Sequence, residues 1–146
     1  MNEDVLKLEN QICFPLYAAS RLIIKRYQPL LQELEVTYPQ YLVLLLLWEK
    51  DGQKVTDLGE CLLLETSTLT PLLKRLEQKG YIKRERSEQD ERQVIISLTD
   101  TGKSAKQKAL PIPHKLFQSI QQGQLDQEDL HNLKTILQAF IHFNRA

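Results

Sequence analysis

The chain has 146 residues, with 19 Lys and Arg against 19 Asp and Glu, and a formal net charge of zero at pH 7. That length can bury a real core, and 42% hydrophobic with 26% charged residues describes a folded globular protein, not a disordered one. The apolar run Tyr41 to Trp48 is far shorter than the roughly 20 residues that cross a membrane, which leaves no membrane partner to expect. The start MNEDVLKLEN is acidic and has no signal-like apolar segment, and two cysteines are too few for a disulfide framework. The expectation is a cytoplasmic protein of one domain, residues 1–146.

Helical spacing dominates the chain. Ile12, Leu16, Ala19, Ile23 and Tyr27 recur at intervals of three and four, predicting one apolar stripe on a helix that runs to about Leu34. Pro15 stands near its start, where a proline within a helix clashes with the carbonyl four residues back, here Gln11; it either kinks the helix or begins it. Thr37 and Pro39 restart the chain as cap and first-turn proline of a second helix, Gln40–Glu49. That helix is apolar nearly all round from Leu42 to Trp48 and is expected at the centre of the domain. Asp51-Gly52 ends it.

A short helix is predicted over about Val55–Leu63, with Cys61 packed or half-buried among Leu58, Leu62 and Leu63. Ser67–Lys79 follows, capped by Ser67 or Thr68, with Pro71 in its first turn and Gly80 as its stop. Leu69, Leu72, Leu73 and Leu76 face inward, leaving Thr68, Thr70, Lys74 and Arg75 toward solvent. The period then changes to two. Tyr81–Arg86 and Gln93–Leu98 read as a β-hairpin around the polar turn Ser87–Arg92. Thr99-Asp100 caps a further helix, interrupted by Pro111 and Pro113. A last helix begins at Asp126, striped by Leu130, Leu133, Leu137, Phe140 and Ile141.

Zero net charge conceals an uneven distribution. Thr66 to Arg86 holds six bases (Lys74, Arg75, Lys79, Lys83, Arg84, Arg86) against two acids (Glu77, Glu85). Such a block suits a phosphate-facing patch, although charge alone also fits a solvated helix face. The order of elements settles more. Helix, helix, short helix, basic helix and basic hairpin is the outline of a winged helix-turn-helix, whose second helix enters the major groove while an arginine at the hairpin tip reaches the minor groove. The fold class is therefore mainly α with a small β-hairpin. The winged helix spans about 37–98, flanked by helices at about 8–36 and 100–146. Ser67, Thr68, Thr70 and Arg75 are the candidate major-groove residues, Lys74 a phosphate contact and Arg92 the minor-groove residue, on a wing that includes Arg84, Arg86 and Asp90.

The stretches TYPQYLVLLLLWE and TLTPLLKRLEQKGYIKRERSEQDERQVIISLTDTG resemble the MarR family of dimeric bacterial winged-helix repressors, with DER at Asp90–Arg92 matching the wing-tip motif. Cys13 in ICFPLYAASR, Tyr27 in KRYQPLL and Tyr38 in TYPQY narrow the resemblance to its organic-hydroperoxide-sensing branch. The resemblance implies a homodimer on pseudo-palindromic double-stranded DNA, with the segments at about 8–36 and 100–146 as its dimerisation helices. It also implies a reactive thiolate at Cys13 that is hydrogen-bonded by the tyrosine hydroxyls of the other subunit. The geometry agrees: 14 residues separate Cys13 from Tyr27, about 21 Å along a straight helix, so the two cannot touch within one chain. Hydroxyl donors favour thiolate over thiol. The chain departs from relatives that sense through an intersubunit disulfide, because no cysteine follows Cys61. That leaves a one-cysteine sensor, oxidised by an organic hydroperoxide and completed by a low-molecular-weight thiol.

Taken without the resemblance, Cys13 also reads as a small buried hydrophobe. Two other functions remain open at this point: a repressor released by a small aromatic ligand at the same interface, and, in a different class, a Cys13-dependent thiol peroxidase. His114, His131 and His142 are too scattered for metal spacing, no phosphate-binding glycine motif occurs, and no cofactor is expected.

Overall fold

The computed structural model describes residues 2–121 and 124–145. Helix α1 (Cys13–Leu31) starts at Cys13, and Pro15 lies in its first turn, so the Gln11 carbonyl that its ring would strike is outside the helix. Pro15 thus belongs to the helix start. Of its 19 residues only Leu31 is buried. A 3₁₀ turn, Gln32–Leu34, continues α1, and Glu35 in the left-handed region (φ 53°) turns the chain. The predicted stripe to Leu34 is therefore an α-helix with a tighter last turn.

Helix α2 (Tyr38–Glu49) opens with a capping box in which the Thr37 N–H donates to Gln40 Oε1 (2.9 Å) and the Gln40 N–H donates to Thr37 Oγ1 (3.5 Å). No residue from Tyr38 to Trp48 is exposed, as expected of a helix apolar all round. Strand β1 (Gln53–Lys54) leads directly into α3 (Val55–Leu62), and α4 (Thr66–Gln78) follows. Gly80, at φ 78°, ends α4 in the conformation that glycine adopts without strain.

Strands β2 (Ile82–Arg86) and β3 (Val94–Leu98) form the predicted hairpin, pairing Ile82 with Leu98 and Arg86 with Val94. The sheet has a third strand that the sequence did not reveal. β1 pairs with β3 on its other edge, Gln53 opposite Ile96 and Lys54 opposite Ile95, and two residues are too few to show an alternation. Leu58, Leu69, Leu73, Leu76 and Ile96 pack with Leu31, Leu34, Leu44 and Leu47 in one core. Helix α5 (Asp100–Ala109) is capped by Thr99, whose Oγ1 accepts from the Gly102 N–H (3.0 Å). Two cross-links complete this part: Trp48 Nε1 donates to the Gly102 carbonyl (2.9 Å), and the Tyr81 hydroxyl donates to the Leu34 carbonyl (2.8 Å).

The chain divides into two compact units, Met1–Ile112 and Pro113–Ala146. Helix α6 (Ile112–Gln121) begins after Pro111, with Pro113 in its first turn, which accounts for the predicted interruption. In the second unit α7 (Gln127–Asn144) starts from a capping box between Asp126 and Asp129. None of its residues is buried, and Leu133, Ile136, Phe140, Ile141 and Phe143 are exposed. Among the described residues no helix is long and apolar enough to cross a membrane.

Candidate nucleic-acid interface and redox site

Helix α4 buries one face and offers the other. Leu69, Leu73 and Leu76 are buried, while Ser67, Thr68, Lys74 and Arg75 are exposed and Thr70 is half-buried. One expectation needs correction. The helix begins a residue earlier than predicted, at Thr66, with extended Glu65 (ψ 154°) preceding it, so neither Ser67 nor Thr68 is the cap and no side chain caps the helix. Both residues lie in the first turn instead, with free hydroxyls on the solvent face. Pro71 falls in the second turn rather than the first, and its missing N–H leaves the Ser67 carbonyl without an intrahelical donor.

The wing residues divide by role. Asp90 Oδ1 accepts from the Arg92 N–H (3.0 Å) and its carbonyl from the Gln93 N–H (2.9 Å), so Asp90 builds the turn that presents exposed Arg92. Arg86 Nη1 donates to the Glu91 carbonyl across the same turn (3.1 Å). Arg84 points back to α4: its Nη2 lies 3.1 Å from Glu77 Oε1, and its own N–H donates to Glu77 Oε2 (3.1 Å). The Arg84 hydrogen bond holds the Glu77 carboxyl below its ordinary value, against the opposing effect of burial. Glu77 was not singled out in the sequence, where it reads as a stray acid in a basic block. Its partner lies past the end of α4, on strand β2, so the pair follows no helical spacing although it is only seven residues apart.

At the other end of the same unit, Cys13 is exposed at the start of α1. Tyr27 and Tyr38 come together, with ring centroids 4.6 Å apart. Tyr41 stands 5.8 Å from Tyr27 and 6.4 Å from Trp48, making a row of four aromatic rings through α1 and α2. Burial pushes the Tyr27 hydroxyl up to about 12, with Tyr38 and Tyr41 adding to it, and burial raises Tyr38 as well. Both phenols therefore keep their protons at neutral pH and remain hydrogen-bond donors. The structure does not bring Cys13 to them: α1 is one continuous helix between residues 13 and 27.

Cys61 departs from expectation. It is exposed on α3, not packed, because the inward positions of that short helix fall to Leu58 and Gly59. Among the described residues no group of three His, Cys, Asp or Glu is placed to hold a metal ion.

Residues 25–109 match the family described as Transcriptional regulator SarA/Rot. The organic hydroperoxide resistance transcriptional regulator of Bacillus subtilis is 54% identical over 92% of this chain and 89% of its own length. A solved structure of reduced AbfR bound to DNA, a Staphylococcus epidermidis protein, superposes with a TM-score of 0.77 at 38% identity, covering 98% of this chain and 99% of that one. A mutant MarR from E. coli, at 21% identity over 90% of this chain and 96% of that one, shares the fold with a TM-score of 0.71. The chain belongs to this MarR-type, SarA/Rot family of winged-helix transcriptional regulators, and within it to the organic-hydroperoxide branch.

Proposed function

We propose that the chain acts as a homodimeric repressor that holds a pseudo-palindromic duplex through α4 and the wing, and lets go when Cys13 is oxidised. Ser67, Thr68, Thr70 and Arg75 serve the major groove, Lys74 a phosphate, and Arg92 the minor groove, where a narrow groove concentrates negative potential. An organic hydroperoxide gives up its distal oxygen to the Cys13 thiolate. The O–O bond breaks, an S–O bond forms, and an alcohol leaves after taking a proton. A low-molecular-weight thiol then displaces water from the sulfenic acid to give a mixed disulfide, the role a second late cysteine plays in relatives that carry one.

The observation that carries this reading is the division of the sensing residues along α1. Cys13 stands exposed at one end and the paired donors Tyr27 and Tyr38 at the other, so a complete site needs a second copy running antiparallel. Exposed Phe14, Leu16, Tyr17, Leu22 and Ile23 on the same helix are an apolar surface for that copy to cover. A gel shift tests the function: complex with a selected duplex, its loss on adding cumene hydroperoxide with a small thiol, and its return with dithiothreitol. Complex that survives oxidant and thiol would refute the switch. A peroxidase is the competing class. It requires catalytic turnover, so consumption of many peroxide equivalents per Cys13 would decide for it.

A further inference from the structure

Helix α1 carries more than its cysteine and tyrosine. Cys13, Tyr17, Arg21 and Lys25 follow one another at intervals of four, so they form a single ridge that drifts by only about 40° at each step. All four are exposed. The Arg21 guanidinium lies over the Tyr17 ring, 5.6 Å from its centroid, one turn nearer to Cys13 than its own backbone. Arg21 and Lys25, with Gln28, supply the donors of an open hollow on the same helix. Among the described residues neither of these two cations forms an ion pair. The helix holds Arg21, Lys25 and Arg26 and no Asp or Glu, so a chain of zero net charge places a formal +3 on this one element. An antiparallel copy that brings Tyr27 to Cys13 puts Ser20 at the midpoint of the pairing, halfway between residues 13 and 27. Arg21 of each subunit then falls within a turn of the two-fold, where like charges crowd with no acid on either helix.

We infer that Arg21, backed by Lys25, is the carboxylate subsite for the low-molecular-weight thiol that reacts at oxidised Cys13, and that this thiol is a cysteine-derived peptide or conjugate with a free carboxylate. The assignment rests on the redox reading above and names the chemistry of its second reactant. In that step the thiol sulfur attacks the Cys13 sulfenic sulfur. An S–S bond forms, the S–O bond breaks, and the oxygen leaves as water with the thiol's proton. A resolving cysteine held in the fold needs no further handle, but none follows Cys61 here, so the incoming thiol is positioned by its other groups. A guanidinium stacked on a ring keeps its N–H fork in one plane at little cost in freedom, the geometry that takes a carboxylate by two parallel hydrogen bonds. Reach also fits. Eight residues separate Arg21 from Cys13, about 12 Å along the helix, and the stacking on Tyr17 shortens that gap. A thiol of three residues spans roughly 10 Å when extended.

The test uses the full-length protein, oxidised with one equivalent of cumene hydroperoxide and then mixed with either glutathione or its diethyl ester, which keeps the thiol and loses the carboxylate charges. Mass spectrometry of the Cys13 peptide after rapid quenching gives the rate of mixed-disulfide formation with each. The ratio of the two rates is compared between proteins, so the different acidities of the two thiols cancel. Arg21→Gln is expected to lower the acid-to-ester ratio on the order of fivefold, through the acid's rate rather than the ester's, and Arg21→Lys to retain part of it. The wild-type ratio is expected to fall as salt rises. A ratio equal in wild type and Arg21→Gln overturns the subsite and leaves the redox switch standing. Should Arg21→Gln fail to fold or dimerise, Arg21→Lys and the salt series decide, and a wild-type ratio that salt does not move overturns the subsite as well. If oxidised Cys13 takes up neither thiol, the redox reading itself falls.

Discussion

Mixing two defective variants separates a shared sensing site from a site within one chain. In Cys13→Ser nothing can be oxidised at position 13. In Tyr27→Phe/Tyr38→Phe the ring contacts at 4.6 and 5.8 Å survive and only the hydroxyl donors are lost. A hydrogen bond to a charged acceptor contributes about 1.5–3 kcal/mol, so removing even one donor from the Cys13 thiolate slows its oxidation roughly tenfold or more. When the variants are mixed in equal amounts and exchange subunits, every Cys13 belongs to a tyrosine-less chain, and half of those chains pair with a Cys13→Ser partner. That partner carries intact tyrosines. Stopped-flow oxidation by cumene hydroperoxide, read by quenching with a thiol-specific label, is therefore expected to show two phases of equal amplitude, the fast one at the wild-type rate. Trp48, the single tryptophan, lies at the end of the aromatic row and offers a second readout without a label. A mixture that shows only the slow phase after complete exchange would place donors and cysteine in the same chain, or remove the tyrosines from the site.

Arg92→Ala is expected to weaken operator binding, measured by anisotropy, and Lys74→Ala to weaken all duplexes alike while lowering the salt slope by about one per subunit; unchanged affinity and slope in Arg92→Ala would remove it from the wing contact. Deleting the chain from Asp126 onward takes away the exposed Leu133, Ile136 and Phe140 of α7 and is expected to abolish the dimer in sedimentation at micromolar protein, whereas the full chain is dimeric before DNA is added. Cys61→Ser is expected to keep its peroxide response in the gel shift, and a lost response would bring that exposed thiol into the chemistry. Glu77→Gln is expected to loosen the wing from α4 and lower DNA affinity. Because the Glu77 carboxyl is depressed from 4.5, its link to Arg84 is fully present above that pH and is lost only as pH falls through the lower folded value. Wild-type melting temperature minus that of Glu77→Gln should stay constant from neutral pH down to about 5 and shrink below it.

The sequence made the elements readable wherever a period and a terminus agreed. Thr37 with Pro39, Gly80, Thr99 and Asp126 mark boundaries because their chemistry is local, and all four hold in the structure. Local chemistry misled at α4. Ser67 and Thr68 have the side chains of caps, yet the helix starts ahead of them, because the left-handed turn at Leu63 (φ 54°) brings the chain into the helix from Glu65. β1 and the Glu77–Arg84 link stayed hidden for a different reason. Both are pairings between different elements, a strand with a strand and a helix with a strand, and neither a two-residue strand nor a lone glutamate has a period. The candidate site was half legible. Tyr27 and Tyr38 pack as a tilted pair, while Cys13 stands at the far end of the continuous helix α1; the proposal brings them together only through a second copy.

Under the proposed function, the same division gives chemistry at Cys13 a route to the DNA. The far end of α1 is locked into the reader: Leu31 and Leu34 share a core with Leu69 and Leu73 of α4, and the Tyr81 hydroxyl, just past Gly80, donates to the Leu34 carbonyl. The near end has no core of its own unit against it, since no residue of α1 before Leu31 is buried. Helix α1 is therefore an arm about 28 Å long, rigidly joined to the reader at one end and, on the proposed reading, held by the partner at the other. A tilt of only about 10° over that length moves an end by about 5 Å, more than the 3.4 Å step between bases on a strand. Half-sites one helical turn apart tolerate no such error in both recognition helices at once. A mixed disulfide wedged at Cys13 need not unfold anything or touch α4. It has only to change the angle at which two such arms cross.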